Sequence, residues 1–260
     1  MKLMEVKKVL DQLVPPVYAM DWDNVGLMVG DLNADDTRVY LSLDCDDKAV
    51  DEAIEKGCQL ILTHHPLLFR PLKTITDQDF KGKRIRKMIR HDINCFSMHT
   101  NYDVVKMADR NARDLHFQNA QLLEPAGMRD GEPYGFGRIG DLPEAMTLGA
   151  FSEEVKRAAA LREIRVYGDP STVITRAAVA SGAGKSAVGD ALQKGAQVLV
   201  TGDLDYHTAT DALSMGLAMI DAGHYGTEYC FIDETAQMLS GVLPDLTLVR
   251  RSVEQPYHIL

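Results

Sequence analysis

The sequence predicts an α/β fold: two related α/β domains, with ligand-bearing residues at strand ends lining a crevice between them. Three observations carry this. Short apolar runs alternate with helical stretches along the 260 residues, the pattern of layered α/β proteins. Residues 39–63 align without gaps on residues 177–201, most clearly Lys56-Gly57-Cys58-Gln59-Leu60-Ile61-Leu62-Thr63 on Lys194-Gly195-Ala196-Gln197-Val198-Leu199-Val200-Thr201, so the halves share a unit. The apolar run 59–63 ends at His64-His65-Pro66. Proline has no N–H to continue a ladder, so a buried strand stops there with two imidazoles at its carboxyl end.

The elements follow in order. A charged amphipathic helix over 2–13 stops before Pro15-Pro16. A strand at 38–43 leads to Asp44-Cys45-Asp46-Asp47, and a helix runs from there to Lys56, where Gly57 ends it. After the strand at 59–63 come a helix at 79–90, a strand at 93–98 and a helix at 105–115. Residues 122–143 are richer in Gly and Pro, without a long helical period. A boundary near Pro125 gives domains 1–125 and 126–260. The second domain predicts a helix at 152–160, strands at 165–167 and 177–180, a helix at 186–194 and a strand at 197–201. A helix over 209–214, a strand at 218–221, a helix carrying Glu228 and a strand at 246–249 complete it.

The chemistry gathers where strands end. In open α/β sheets ligands bind at the carboxyl edge, and paired imidazoles there suit a metal. Two further segments show His-x-x-x-acid after an apolar stretch: His99 to Asp103 and His224 to Glu228. A four-residue gap puts His224 and Glu228 on one face if a helix begins near Gly226; the first segment either does the same or forms a tight loop. In the second copy Gly202-Asp203 stands where the first has His64-His65, so the halves are unequal in ligand supply. The bland alternative is that the pair hydrogen-bonds in a polar crevice. His91, His116 and His258 read as structural or exposed.

Composition bounds the function. The chain is 45% apolar and 25% charged with net charge −10. That disfavours a broad nucleic-acid surface, which needs a basic stripe. The basic run 81–90 reads as one solvated helix with Ile85, Met88 and Ile89 inward; guiding an anionic substrate is the lesser reading. Neither a signal-like core nor a membrane-length apolar stretch is present in the sequence. The four cysteines at 45, 58, 95 and 230 form no Cys-x-x-Cys; Cys58 and Cys95 read as buried thiols, and a reducing cytoplasm is expected.

Several motifs are weaker. Gly135-Phe136-Gly137-Arg138-Ile139-Gly140 spells G-x-G-x-x-G, but Asp141-Leu142-Pro143 follows and no helix opens on it, so dinucleotide binding is disfavoured. Gly182-Ala183-Gly184-Lys185-Ser186 ends like a phosphate-binding loop, but Val179 occupies the slot of its first glycine. A weak phosphate-holding role competes with a tight turn. His207 is a candidate proton carrier, or else a cap for the following helix. Trp22 reads as core rather than as a stacking platform, and Asn24 as a pocket residue.

Asp21-Trp22-Asp23-Asn24-Val25-Gly26-Leu27, Thr63-His64-His65-Pro66, His99-Thr100-Asn101-Tyr102-Asp103 and Gly223-His224-Tyr225-Gly226-Thr227-Glu228 occur in that order. Together, over nearly the whole chain, they resemble the short form of the Nif-three-like dinuclear-metal family, often named GTP cyclohydrolase I type 2 homologues. The resemblance implies two divalent metal ions held by His64, His65, Asp103, His224 and Glu228, with His99 a neighbour of the shell. It also implies a homohexamer, a trimer of dimers. Three imidazoles and two carboxylates are too many for one tetrahedral zinc. Glu228 or Asp103 is expected to span the ions, and Asp221 or Asp203 to orient imidazoles; zinc, iron or manganese all fit. The implied activity is a metal-dependent hydrolase in which metal-bound hydroxide attacks a purine nucleotide ring, with His99 and His207 moving protons. The alternative is a non-enzymatic, metal-binding hexameric adaptor or regulatory protein.

Overall fold

A computed structural model describes residues 1–35, 37–252, 255 and 257; His258 lies outside the described residues. The chain forms two compact units, Met1–Tyr102 with the chain from Phe231 onward, and Asp103–Cys230. The boundary expected near Pro125 falls inside a strand, and the described residues from Phe231 return to the first unit.

The first unit begins with α1 (Leu3–Leu13), β1 (Gly26–Val29), β2 (Arg38–Ser42), α2 (Asp47–Glu55), β3 (Leu60–Thr63), α3 (Phe80–Arg90), β4 (Asn94–Ser97) and the single turn α4 (Thr100–Tyr102). In the second unit a π-turn at Asp103–Met107 leads into α5 (Ala108–Asp114). A long hairpin of β5 (Gln118–Arg129) and β6 (Glu132–Thr147) follows, then α6 (Leu148–Ala158), β7 (Arg165–Tyr167) and β8 (Val173–Val179). After a 3-10 turn at Gly184–Ala187 come α7 (Val188–Gln193), β9 (Val198–Thr201), α8 (Tyr206–Ser214), β10 (Ala218–Asp221) and α9 (His224–Glu228). The chain re-enters the first unit with α10 (Cys230–Val242) and β11 (Thr247–Arg250).

The first sheet runs β1-β4-β3-β2-β11. Its last four strands are parallel and β1 is antiparallel to β4. Parallel strands are covered on both faces, so they read as continuous apolar runs rather than alternating ones; Leu60, Ile61, Leu62 and Thr63 are all fully buried. The second sheet runs β5-β6-β8-β9-β10-β7, with β8, β9 and β10 parallel.

The repeat is structural as well as textual. Val39 pairs with Leu60 and Ala177 with Val198, the same register under the sequence alignment. Gln59 accepts backbone N–H bonds from Thr37 and Arg38; Gln197 accepts them from Thr175 and Arg176, the aligned positions. Gly57 and Gly195 both hold positive φ, +63° and +77°, where each helix turns back into its strand. One α/β unit, with its cap and its side-chain clamp, is therefore present in each half.

The G-x-G-x-x-G stretch lies inside β6, as a glycine-rich strand. Its glycines serve close strand packing: a Cβ at Gly135 would sit 2.0 Å from the Glu124 carbonyl oxygen, and one at Gly137 2.5 Å from that of Val179. The basic run forms α3, with Arg84 and Lys87 paired to Asp47 and Asp51 of α2. Ile85 and Met88 are buried as expected, but Ile89 is 58% exposed: it lies on the Ile85 face, but in the last turn of a helix that ends at Arg90. Cys45, Cys58 and Cys95 are buried free thiols. Among the described residues no helix is long and apolar enough to cross a membrane.

Candidate metal centre

In the first unit three imidazoles sit beyond the carboxyl ends of adjacent parallel strands. His64 and His65 follow β3, and His99 follows β4. Their ligand atoms all lie within 4.8 Å of one another. Each ring is held through Nδ1. His64 Nδ1 lies 2.9 Å from the Met98 carbonyl oxygen, His65 Nδ1 2.9 Å from Asp44 Oδ1, and His99 Nδ1 2.8 Å from Asp23 Oδ1. A carbonyl oxygen can only accept, so His64 donates from Nδ1 and its neutral ring carries the lone pair on Nε2. The carboxylates favour the same tautomer in the other two. Three ring nitrogens thus gather: those of His64 and His65 are donors of the kind divalent ions take, and His99 stands beside them.

The rings are fixed from behind. His64 is fully buried and packs against Tyr102 and Phe231, with ring centroids at 6.0 and 5.3 Å. Asp23 is the anchor for His99. It also accepts from the Thr100 backbone N–H at 3.0 Å and the Thr100 hydroxyl at 2.5 Å. Burial by itself would raise the Asp23 carboxyl, but the bonds from His99 and Thr100 outweigh it and hold the group at about 2. Asp23 is ionised at neutral pH and accepts hydrogen bonds only.

The second unit contributes its own donors. His224 opens α9 and Glu228 closes it, and their Nε2 and Oε2 are 3.2 Å apart, as expected for one helical face. Asp103 heads the π-turn, and a carboxylate oxygen of Asp103 lies within 4.8 Å of one from Glu228. The Glu228 side chain is only 5% exposed. Two carboxylates this close, one of them buried, repel unless a cation or proton lies with them, so the donor chemistry fits a metal ion. His224 Nδ1 lies 2.8 Å from Asp203 Oδ2, which makes Asp203 the orienting acceptor. Asp221 instead takes the Arg165 guanidinium at 2.6 Å and the Gly223 N–H at 2.9 Å, because its side chain leaves β10 toward the edge strand β7.

The Gly182 stretch, where a weak phosphate-holding role competes with a tight turn, forms a turn. The Gly182 N–H donates to the Thr227 hydroxyl, and the Gly184 N–H to the Thr201 hydroxyl, so both amides are engaged within the fold. A Cβ at Gly182 would lie 2.5 Å from Glu228 Oε1 and 3.3 Å from His224 Nε2. The loop is cut back to make room for these two donors. Gly202 behaves similarly, since a Cβ there would meet the His224 backbone nitrogen at 2.5 Å. This signal was hidden in the sequence by the resemblance of the stretch to a phosphate loop.

His207 is exposed on the first turn of α8, edge-on to Tyr206, and the helix is capped by Asp205 rather than by His207. Asn24 ties two loops through its bond to the Leu68 carbonyl oxygen. Trp22, expected in the core, is 60% exposed. His91 and His116 are exposed. Asp44 and Asp23, which aim two of the imidazoles, were not assigned that role in the sequence, because the pairing depends on which loops meet.

The fold and these donor groups define an α/β protein whose strand ends carry clustered imidazoles and carboxylates able to hold divalent metal. Residues 1–255 match the family described as Duf34/NIF3 (NGG1p interacting factor 3), and the chain belongs to that family. It is 38% identical over 231 residues to a Clostridium perfringens protein named GTP cyclohydrolase 1 type 2 homolog, covering 88% of this chain and 87% of the other. A Campylobacter jejuni protein of the same name is 34% identical, covering 95% and 94%. Among solved structures, the chain is similar to a Bacillus cereus protein related to NIF3, with TM-score 0.91 and 25% identity over 100% and 99% of the two chains. It is also similar to reduced HcgD from Methanocaldococcus jannaschii, with TM-score 0.82 and 29% identity over 96% and 97%.

Proposed function

We propose that the protein is a divalent-metal-dependent hydrolase acting on a purine nucleotide, the reaction class carried in the name of its relatives. The observation that supports this best is the convergence of His64, His65 and His99, each oriented through Nδ1. We assign His64, His65, Asp103, His224 and Glu228 as ligands of two ions, zinc, iron or manganese. Such ions, when bound, supply Lewis acidity and make water acidic enough to react at neutral pH.

The chain's own residues do the rest. Met98, Asp44 and Asp203 hold imidazoles in a fixed tautomer. His99, backed by ionised Asp23, is placed to exchange a proton with a reacting group. His207, exposed, is the second proton carrier and exchanges with solvent. The resemblance extends the proposal to a homohexamer working in the cytoplasm.

Metal analysis of the purified protein, with an assay of formate release from GTP, tests the reading beside His64→Ala and Glu228→Ala variants checked for folding by circular dichroism. Turnover that disappears with the metal supports it. A metal-replete protein that turns over no nucleotide points to the adaptor alternative.

A further inference from the structure

We propose that Trp22 and Phe69 form a stacking platform for the base of the purine substrate; the choice of a purine rests on the hydrolase reading above. The single tryptophan of the chain is 60% exposed, and Phe69 is 43% exposed. Tryptophan is among the residues most buried on average, so a mostly exposed indole needs a reason. Mobility is not the reason. The turn that carries it is tied on both sides: Asp23 is bonded to His99 and Thr100, Met20 N–H donates to the Thr100 hydroxyl at 3.0 Å, and Asn24 reaches the Leu68 carbonyl oxygen at 2.6 Å. That last bond joins the Trp22 turn to the residue before Phe69.

The two rings meet edge to face, with centroids 5.9 Å apart at 67°. His99 lies 6.4 Å from Trp22 and 6.3 Å from Phe69, again nearly perpendicular. The three rings therefore do not stack on one another. Both rings present part of their surface to solvent, with centroids 6.4 and 6.3 Å from that of His99. Exposed, pre-positioned aromatic rings beside a polar reaction centre suit a flat heteroaromatic ligand, because stacking needs a π-face and little loss of side-chain freedom. Asp23 follows Trp22 directly in the chain and holds His99 through its side chain, which ties the platform to the imidazole group.

The lone tryptophan makes the test direct. The metal-loaded, full-length protein is titrated with guanosine, GTP, ribose 5-phosphate and tripolyphosphate while indole fluorescence is followed. Saturable quenching by guanosine and GTP, but by neither base-free compound, is expected. Phe69→Ala should weaken guanosine binding about tenfold in the same assay, and Trp22→Leu by about fivefold or more in equilibrium dialysis, the range of one base–aromatic stack. Indole emission unmoved by millimolar guanosine overturns the proposal. So does unchanged guanosine affinity in Trp22→Leu, including the case in which that variant instead changes the sedimentation mass because a second copy covers the indole. The hydrolase reading fails separately: base-dependent quenching would persist while formate release from GTP was absent.

Discussion

Replacing Gly182 by alanine probes the donors of the second unit without removing any of them. Two effects separate. The first is on folding: Gly182 has φ +60°, and an L-residue in that left-handed region costs about 1–2 kcal/mol. The second is on position. The new Cβ would lie 2.5 Å from Glu228 Oε1, where real contacts stay above 3.0 Å, so the carboxylate must move by at least 3.0 − 2.5 = 0.5 Å. That oxygen is the end of a side chain and can swing, so the displacement adds little to the folding cost. It falls on metal geometry, where ligand distances tolerate about 0.2 Å. We expect Gly182→Ala to melt a few degrees below wild type and to lose roughly 10–100-fold in metal affinity, the range seen when support around ligands is disturbed. Gly241→Ala is the control. Gly241 lies near the end of α10, exposed and with nothing within 4 Å of a new Cβ, so alanine should stabilise by about 0.4–1 kcal/mol and leave affinity alone. Isothermal titration with zinc or manganese and thermal melts of both variants decide. A Gly182→Ala protein that binds metal as tightly as wild type refutes the assignment of Glu228 and His224 as ligands.

Other outcomes follow from the orienting bonds. Asp44→Ala and Asp203→Ala each release Nδ1 of an imidazole, His65 and His224 respectively. Each should reduce metal affinity about tenfold or more at neutral pH with little change in the far-ultraviolet spectrum; unaltered titrations would show that these carboxylates do not support ligands. His207→Ala removes an exposed ring and should leave the metal content as in wild type, measured by elemental analysis. Asp23 is depressed below the ordinary carboxylate value. Its contribution to stability is therefore complete above the unfolded-state value near 4 and is lost as pH falls toward about 2. In chelator-treated protein, the stability gap between wild type and Asp23→Asn in urea should be wide at pH 6 and about half as wide at pH 3. A gap independent of pH would mean that the Asp23 charge is not what holds His99 and Thr100.

The halves resemble each other in backbone but not in chemistry. After β3 the first carries His64-His65, and at the aligned place after β9 the second carries Gly202-Asp203. The acidic residue is reused: Asp203 orients His224, which follows the next strand. In the first unit the corresponding step is made one strand earlier, where Asp44 after β2 orients His65 after β3. An acid beyond one parallel strand thus aims an imidazole beyond its neighbour, twice, with different strands.

What could be read from the chain alone was what local chemistry enforces. The buried strand to Thr63 is a continuous apolar run stopped by Pro66, and its shortness reads as strand rather than helix. His224 and Glu228 are four residues apart, so a single helical turn brings them together. Lys56-Gly57 and Lys194-Gly195 mark two helix ends and, with the matching runs after them, the repeat itself. Non-local pairing had to be seen in the folded molecule. The return of β11 to pair with β2 joins segments about two hundred residues apart in sequence, and no local pattern specifies it. Asp23 on His99 and Asp44 on His65 depend on which loops meet above the sheet, and Asp221 was lost to Arg165 for the same reason. Trp22 has a core residue's composition but lies outside, because the bonds of Asp23 and Asn24 turn the chain so that the indole faces water. Gly182 reads like part of a phosphate loop and acts as space for a carboxylate, since what a missing Cβ makes room for is visible only once the neighbours have arrived.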